Sequence, residues 1–139
     1  MGTEQTRQTV TAYYEVLKSG KRDEIAALLT DDCVWMPPVS APLPTIHGGA
    51  EVAAELGGRL VRNMFDLSQP FALEVRRILA DGDFAVVQQR LTATAKATGN
   101  AYDNQYCWIY TVRDGKIAVM EEYADTVVAA RAMGWDLGS

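Results

Sequence analysis

The chain has 139 residues, a length that predicts one domain over residues 1–139. Its net charge of −5 argues against nucleic acid or an anionic membrane as a partner. No run approaches the roughly 20 apolar residues of a membrane helix, and no apolar leader is present, so we expect a cytoplasmic protein. One histidine, His47, and two distant cysteines, Cys33 and Cys107, disfavour a zinc site. We therefore expect no metal, no cofactor and two reduced thiols.

The N-terminal part is predicted to be mainly helical. Apolar residues from Val10 to Leu17 recur at helical spacing and Gly20 is a natural stop, which predicts a helix over 3–19. The elements that follow are a helix over 23–30 capped by Asp23, a short strand in "DDCVWMPP" halted by Pro37 and Pro38, an ordered loop over 37–48, and a third helix over about 50–65.

Gly57 and Gly58 lie inside the third predicted helix. Each costs roughly 1 kcal/mol relative to alanine in a helix interior. We expect the close approach of another element to compensate for this cost.

After Pro70 the apolar pattern changes to a period of two, which is typical of strands. Hairpin turns are predicted at "ADGD" and "RDGK", and Asp125 is expected to cap a last helix to about Ala132. The order predicts an α+β domain with helices on one face of an antiparallel sheet. The four predicted strands lie in "FALEVRRILADG", "DFAVVQQRLTATAK", "AYDNQYCWIYTVRDG" and "KIAVMEEYAD".

The turn in "VRDGK" decides which side of the last strand faces the interior. A type I turn with a G1 bulge at Gly115 pairs Val112 with Lys116, and hence Tyr106 with Glu122. A two-residue hairpin would instead place Cys107 opposite Glu122 and move the aromatic row to the other face. With the bulge, one face carries Tyr102, Asn104, Tyr106, Trp108, Tyr110, Met120 and Glu122, and the other carries Cys107, Ile109, Ile117, Val119, Glu121 and Tyr123.

The order of elements and the segments "AALLTDDCVWMPP" and "RDGKIAVMEEYADT" resemble the SnoaL-like branch of the nuclear-transport-factor-2-like (ketosteroid isomerase-like) superfamily. The resemblance implies a cone-shaped α+β barrel, in which a curved antiparallel sheet surrounds an apolar pocket closed by three N-terminal helices. Relatives include ketosteroid isomerase, limonene epoxide hydrolase, polyketide cyclases and phenazine-biosynthesis proteins. They generally use an acid without a cofactor, often as homodimers.

The resemblance carries over only in part. Glu122 matches the inward acid on the last strand of the hydrolase, the cyclases and the phenazine proteins. Arg90 matches the arginine of the hydrolase, but Thr92 stands where its aspartate should be. Pro37 occupies the position of the isomerase base. Tyr13 loosely matches the oxyanion-hole tyrosine of the isomerase, whose donor acid aligns near Trp108.

Three residues are candidate catalytic groups. Glu122 would transfer protons with a raised pKa, Arg90 would polarise a carbonyl or hold the Glu122 charge, and Tyr106 would bind substrate oxygens. The alternatives are a structural carboxylate held by Tyr106 or Arg90, a solvated arginine and a core tyrosine. Candidate substrate-binding residues are Tyr13, Trp35, His47 at the rim, Asn104, Trp108 and Met120.

These residues predict a cofactor-free acid/base enzyme, an isomerase, cyclase, dehydratase or hydrolase, for a small apolar oxygenated substrate such as a polyketide, steroid or terpenoid. The alternative is a non-catalytic binding domain for a hydrophobic small molecule, or a subunit of an assembly. We also expect a homodimer, because the predicted outer sheet face is too apolar to remain in contact with water. Those residues are Val87, Leu91, Cys107, Ile109, Ile117 and Val119.

Overall fold

A curved six-stranded sheet forms the body of the protein in the computed structural model, which describes residues 2–136. The helices are α1 (Thr3–Ser19), α2 (Arg22–Ala26), α3 (Gly49–Ala54), α4 (Leu60–Met64) and α5 (Thr126–Met133), with a π-helical turn at Glu55–Arg59 between α3 and α4. The strands are β1 (Leu29–Met36), β2 (Ile46–His47), β3 (Ala72–Asp81), β4 (Phe84–Thr94), β5 (Ala101–Arg113) and β6 (Lys116–Ala124).

The strand order is β2-β1-β6-β5-β4-β3, and β3 to β6 form the predicted antiparallel meander. The α+β class is confirmed, but two details differ from expectation. The sheet is not closed into a barrel, and β1 pairs with β6 in the parallel direction. The chain reaches β1 from α2 and not through a hairpin, so no tight turn forces an antiparallel neighbour.

The second helix is shorter than predicted, because the chain enters the sheet earlier. α2 ends at Ala26, and the amide of Ile117 in β6 already donates to the carbonyl of Leu28 at 2.8 Å. Its N-cap is Lys21, not the predicted Asp23, and no side chain caps it.

The third helix bends at its two glycines. Gly58 has non-helical backbone angles, which separates α3 from α4. A Cβ on Gly57 would lie 3.2 Å from Cδ1 of Ile25 in α2. The close approach expected from the sequence is therefore present.

The turn between β5 and β6 differs from the prediction. Asp114 and Gly115 both have positive φ, 54° and 76°, and Arg113 pairs with Lys116, which makes a two-residue hairpin. The register then shifts at Ala118, an extra residue between the pairs Val112–Ile117 and Thr111–Val119.

The bulge at Ala118 brings Trp108 opposite Glu122, where Tyr106 had been predicted. The true pairing differs from the predicted one by two residues along β5. Two residues is a full strand period, so the aromatic row and Glu122 still share the inner face.

Three residues expected on the outer face are buried inside the protomer. Ile117 lies before the bulge and pairs with buried Val112. Val87 and Leu91 are the buried members of the alternating β4 strand, so they face the helices. The predicted outer face is wrong for these residues.

Asp125 caps α5, as predicted, since its side chain accepts from the amides of Val127 and Val128. We expect Asp125→Ala to lower the free energy of unfolding by about 1 kcal/mol, because two amides at the helix start lose their partner. Asp23→Ala is the matched control, because Asp23 caps nothing, and its loss should be smaller. Equal losses in urea titrations would contradict the capping role.

Candidate active site

The inner sheet face and the helices enclose a cavity of about 580 Å³, within the range of small-molecule sites. Its outer part is apolar, with Leu17 from α1, Leu56 and Leu60 around the helix bend, and Phe71 and Leu73 from the start of the meander. Its polar lining residues include Tyr13, Tyr14, Lys18, Trp35, Arg62, Gln89, Tyr102, Tyr106, Trp108, Tyr110, Glu122 and Thr126.

Glu122 is the one carboxylate among the lining residues that the structure describes. Its Oε1 accepts a hydrogen bond from Nε1 of Trp35 at 3.0 Å, and its Oε2 has no partner within residues 2–136. Burial raises the pKa of Glu122 to about 7, and the Trp35 bond opposes that rise. Near neutral pH both protonation states are therefore populated.

Three polar groups form a hydrogen-bonded chain along one wall. The hydroxyl of Tyr14 donates to Oε1 of Gln89 at 2.8 Å and lies 2.6 Å from the hydroxyl of Tyr110. Because the Tyr14 proton is used on Gln89, Tyr110 donates to Tyr14. Burial raises the pKa of both tyrosines, so both remain protonated.

A second chain lies on β5. The hydroxyls of Tyr102 and Tyr106 are hydrogen-bonded, and Nδ2 of Asn104 donates to Tyr102 at 3.0 Å and to the carbonyl of Asp125 at 3.0 Å. Asn104 is buried and lies outside the cavity lining, so it positions Tyr102 rather than meeting a ligand.

Two described residues that line the cavity, Tyr13 and Trp108, carry an unused donor. The hydroxyl of Tyr13 has no hydrogen-bond partner among the described residues, and burial raises its pKa, with smaller contributions from Tyr14, Cys33 and Glu122. Nε1 of Trp108 is likewise buried and has no hydrogen-bond partner within residues 2–136. Leaving such a donor unpaired costs about 1–3 kcal/mol, which an oxygen atom of a ligand would offset.

Five of the predicted site residues line the cavity: Glu122, Tyr106, Tyr13, Trp35 and Trp108. The other four, Met120, Asn104, His47 and Arg90, do not. Met120 is packed in the core and Asn104 lies behind Tyr102. His47 is exposed on β2, where it pairs with Val34, so the predicted rim position is wrong.

Of the two interpretations of Arg90, the structure agrees with the solvated strand arginine and not with a partner of Glu122. Arg90 follows inward-facing Gln89 and therefore points to the outer face, where it binds Asp103 with two hydrogen bonds of 2.8 and 2.6 Å. Asp103 lies across the β4–β5 pair, so the ion pair is a surface contact between strands.

Sequence reasoning missed Tyr14 and Gln89 as site residues. The helical spacing of apolar residues in α1 predicts Tyr14 as a core residue, but its hydroxyl donates to Gln89 in the cavity wall. The signal for Gln89 was its position between Val87 and Leu91, which places an amide on a buried face.

Both cysteines are free, as predicted, and burial raises the pKa of the Cys33 thiol to about 12. Within residues 2–136, no group of three or more histidine, cysteine or acidic side chains is placed to hold a metal ion. No helix in the same range is long and apolar enough to cross a membrane.

The sequence profile of the SnoaL-like domain matches residues 10–120. The chain belongs to the SnoaL-like family. No curated protein sequence matches it. Family membership agrees with the curved sheet, the helices on its inner face and the deep cavity.

Solved structures share the fold over nearly the whole chain. An NTF2-like protein from Burkholderia xenovorans is 25% identical, with a TM-score of 0.81 over 96% of this chain and 98% of that one. A provisionally named ketosteroid isomerase from Kribbella flavida is 26% identical, with a TM-score of 0.70 over 88% and 79%. An LEH-like epoxide hydrolase from M. tuberculosis is 22% identical, with a TM-score of 0.71 over 94% and 90%.

The raised pKa of Glu122 predicts a pH-dependent stability. Between about pH 4.5 and 7 the folded state holds a proton that the unfolded state releases, so the free energy of unfolding falls as pH rises through this window. The fall is on the order of 3 kcal/mol and ends above the folded-state pKa. Urea titrations of native protein and Glu122→Gln should differ in this slope. Parallel pH profiles would contradict a buried, titrating Glu122.

Proposed function

We propose that this SnoaL-like protein is a cofactor-free acid/base enzyme that moves a proton on a small apolar oxygenated substrate, such as a polyketide, steroid or terpenoid. The observation that carries the proposal is the one carboxyl group among the described lining residues, Glu122, which faces the cavity and whose pKa burial raises to about 7. A general acid or base works best when its pKa lies near the working pH.

The chemistry supported best is proton transfer at a carbon next to a carbonyl group. Deprotonated Glu122 takes the proton from that carbon through Oε2, and the carbon–hydrogen bond electrons pass to the carbonyl oxygen as an enolate. Tyr13, a protonated tyrosine whose hydroxyl has no partner within residues 2–136, is the candidate donor to that oxygen. In a conjugated enolate Glu122 then returns the proton to the γ-carbon, which shifts a double bond and gives isomerisation. Alternatively the enolate carbon forms a bond to a second carbonyl carbon, whose π electrons pass to its oxygen, and that oxygen takes the proton from Glu122, which gives cyclisation.

Epoxide hydrolysis by two acids and an arginine has less support. Glu122 is the one acid among the described lining residues, Thr92 occupies the position of the second acid, and Arg90 is held on the outer face by Asp103. The isomerase base is absent at Pro37, so Glu122 would act from a different strand.

Hydrogen–deuterium exchange tests the proton transfer before the product is known. Apolar ketones of polyketide, steroid and terpenoid type are incubated with the protein in D₂O, and NMR follows exchange at the carbon beside the carbonyl. Glu122→Gln should lower the exchange rate by roughly 10²–10⁴-fold, which is the usual contribution of a general base.

Glu121→Gln is the matched control, since Glu121 is the adjacent residue on the opposite strand face. It should exchange like the native protein. Unchanged exchange in Glu122→Gln would remove the enzymatic proposal. Binding of the same ketones without exchange by either form would favour a non-catalytic binding domain.

We further propose that the protein forms a homodimer through the outer sheet face. Part-exposed Val86, Ile109 and Val119 lie on three neighbouring strands of that face. A standard interface buries about 1,600 Å² in total, and such a face supplies the apolar centre it needs.

Light scattering at micromolar concentration should give the dimer mass for the native protein. Ile109→Glu should give the monomer mass, since a charge would be buried at the centre of the interface. Val127→Glu, at an exposed position on α5, is the control and should remain dimeric. A native monomer would contradict the proposal.

A further inference from the structure

A smaller cleft of about 280 Å³ opens beside the mouth of the main cavity. It lies between the α1–α2 connection and the bend of the third helix. Arg62, Gly20, Gly57 and Gly58 line both spaces, so the cleft adjoins the cavity. Arg22 and Arg59 complete its basic lining.

The three arginines differ in their pairing. Arg59 binds two carboxylates, those of Glu51 at 2.5 Å and Glu55 at 2.6 Å. The guanidinium groups of Arg22 and Arg62 have no ion pair or hydrogen bond with any other described residue. Two unpaired cations therefore share one concave space, which favours an anion between them.

The glycines at the helix bend allow both arginines to pack close to the backbone. A Cβ on Gly58 would collide with Nη1 of Arg62, so the missing side chain lets that guanidinium lie against the backbone at the helix bend. A Cβ on Gly57 would lie 3.7 Å from Cα of Arg22.

The cleft lies at the opposite end of the cavity from the acid. Tyr13 is buried beside the deep polar groups and Gly20 is exposed at the cleft. Seven residues of helix separate them, roughly 10 Å along the axis of α1. A ligand that reaches from the cleft to Glu122 must therefore carry an apolar body of about that length.

We propose that the cleft binds the anionic head, a carboxylate or phosphate, of a substrate whose apolar body fills the main cavity. The guanidinium fork matches both anions, which accept two parallel hydrogen bonds from it. The inference deepens the proposed function and rests on it for the oxygenated end that meets Glu122. It adds that the substrate is an amphipathic acid rather than a neutral molecule.

Calorimetric titration with three probes of equal chain length tests the proposal: decanoate, decyl phosphate and decan-1-ol. We expect the native protein to bind one of the two anions about tenfold or more tightly than the alcohol at low salt, because charge-assisted bonds add to the same apolar burial. The tighter anion identifies the head group. Added salt should reduce the preference, since the cleft is open to solvent.

The double variant Arg22→Gln/Arg62→Gln should lose the preference while its affinity for decan-1-ol stays unchanged. Arg77→Gln/Arg131→Gln removes the same charge at exposed positions outside both spaces and should keep the preference. Equal affinity of the native protein for the three probes, absence of binding, or equal losses in both double variants would overturn the proposal.

The two proposals fail separately. Glu122→Gln should keep the preference for the anion, because the head binds at the other end of the cavity. Native-like proton exchange without a preference for anions would contradict only the anion site. A preference for anions with unchanged exchange in Glu122→Gln would contradict only the enzymatic proposal.

Discussion

The bulge at Ala118 decides which face of β6 meets the cavity. The two-residue turn at Asp114 and Gly115 alone would place Cys107 opposite Glu122 and turn the aromatic row away from it. One extra residue in β6 shifts the pairing by one position, so that Glu122 pairs with Trp108 and both lie on the inner face. The hydrogen bond between Trp35 and Glu122 depends on this single backbone irregularity.

The parallel pair between β1 and β6 supplies the partner of the buried carboxyl group. Trp35 aligns with Met120, two residues before Glu122 and on the same face, and its indole donates to Glu122. One neutral donor is a weak compensation for removing a carboxylate from water, so desolvation dominates and the pKa stays raised. A nearby cation would have cancelled that rise, and Arg90 is held outside by Asp103.

The fold and half of the site could be predicted because their patterns are local. The change of period after Pro70, the glycine turns and the Asp125 cap are readable from neighbouring residues. The side of the sheet that Arg90 faces could not be predicted, because "AVVQQRLT" places similar residues at adjacent positions. Alternation therefore cannot choose which of two neighbouring residues points inward. Only the pairing of β4 with its neighbours assigns Gln89 and Leu91 to the cavity and Arg90 to solvent. His47 failed for a similar reason, because its pairing with Val34 is non-local.

Glu122 and the two arginines of the proposed anion site, Arg22 and Arg62, act on different parts of a bound ligand in these proposals. Burial raises the Glu122 pKa and the Trp35 hydrogen bond opposes that rise, with no contribution from the arginines at the mouth. An anionic head bound by Arg22 and Arg62 would thus leave the acid free to titrate, while the apolar body displaces water from the cavity. Removal of that water strengthens the desolvation of Glu122 and raises its pKa further. Binding of an anionic head by Arg22 and Arg62 would in this way raise the proton affinity of Glu122, without a contact between the head and the carboxyl group.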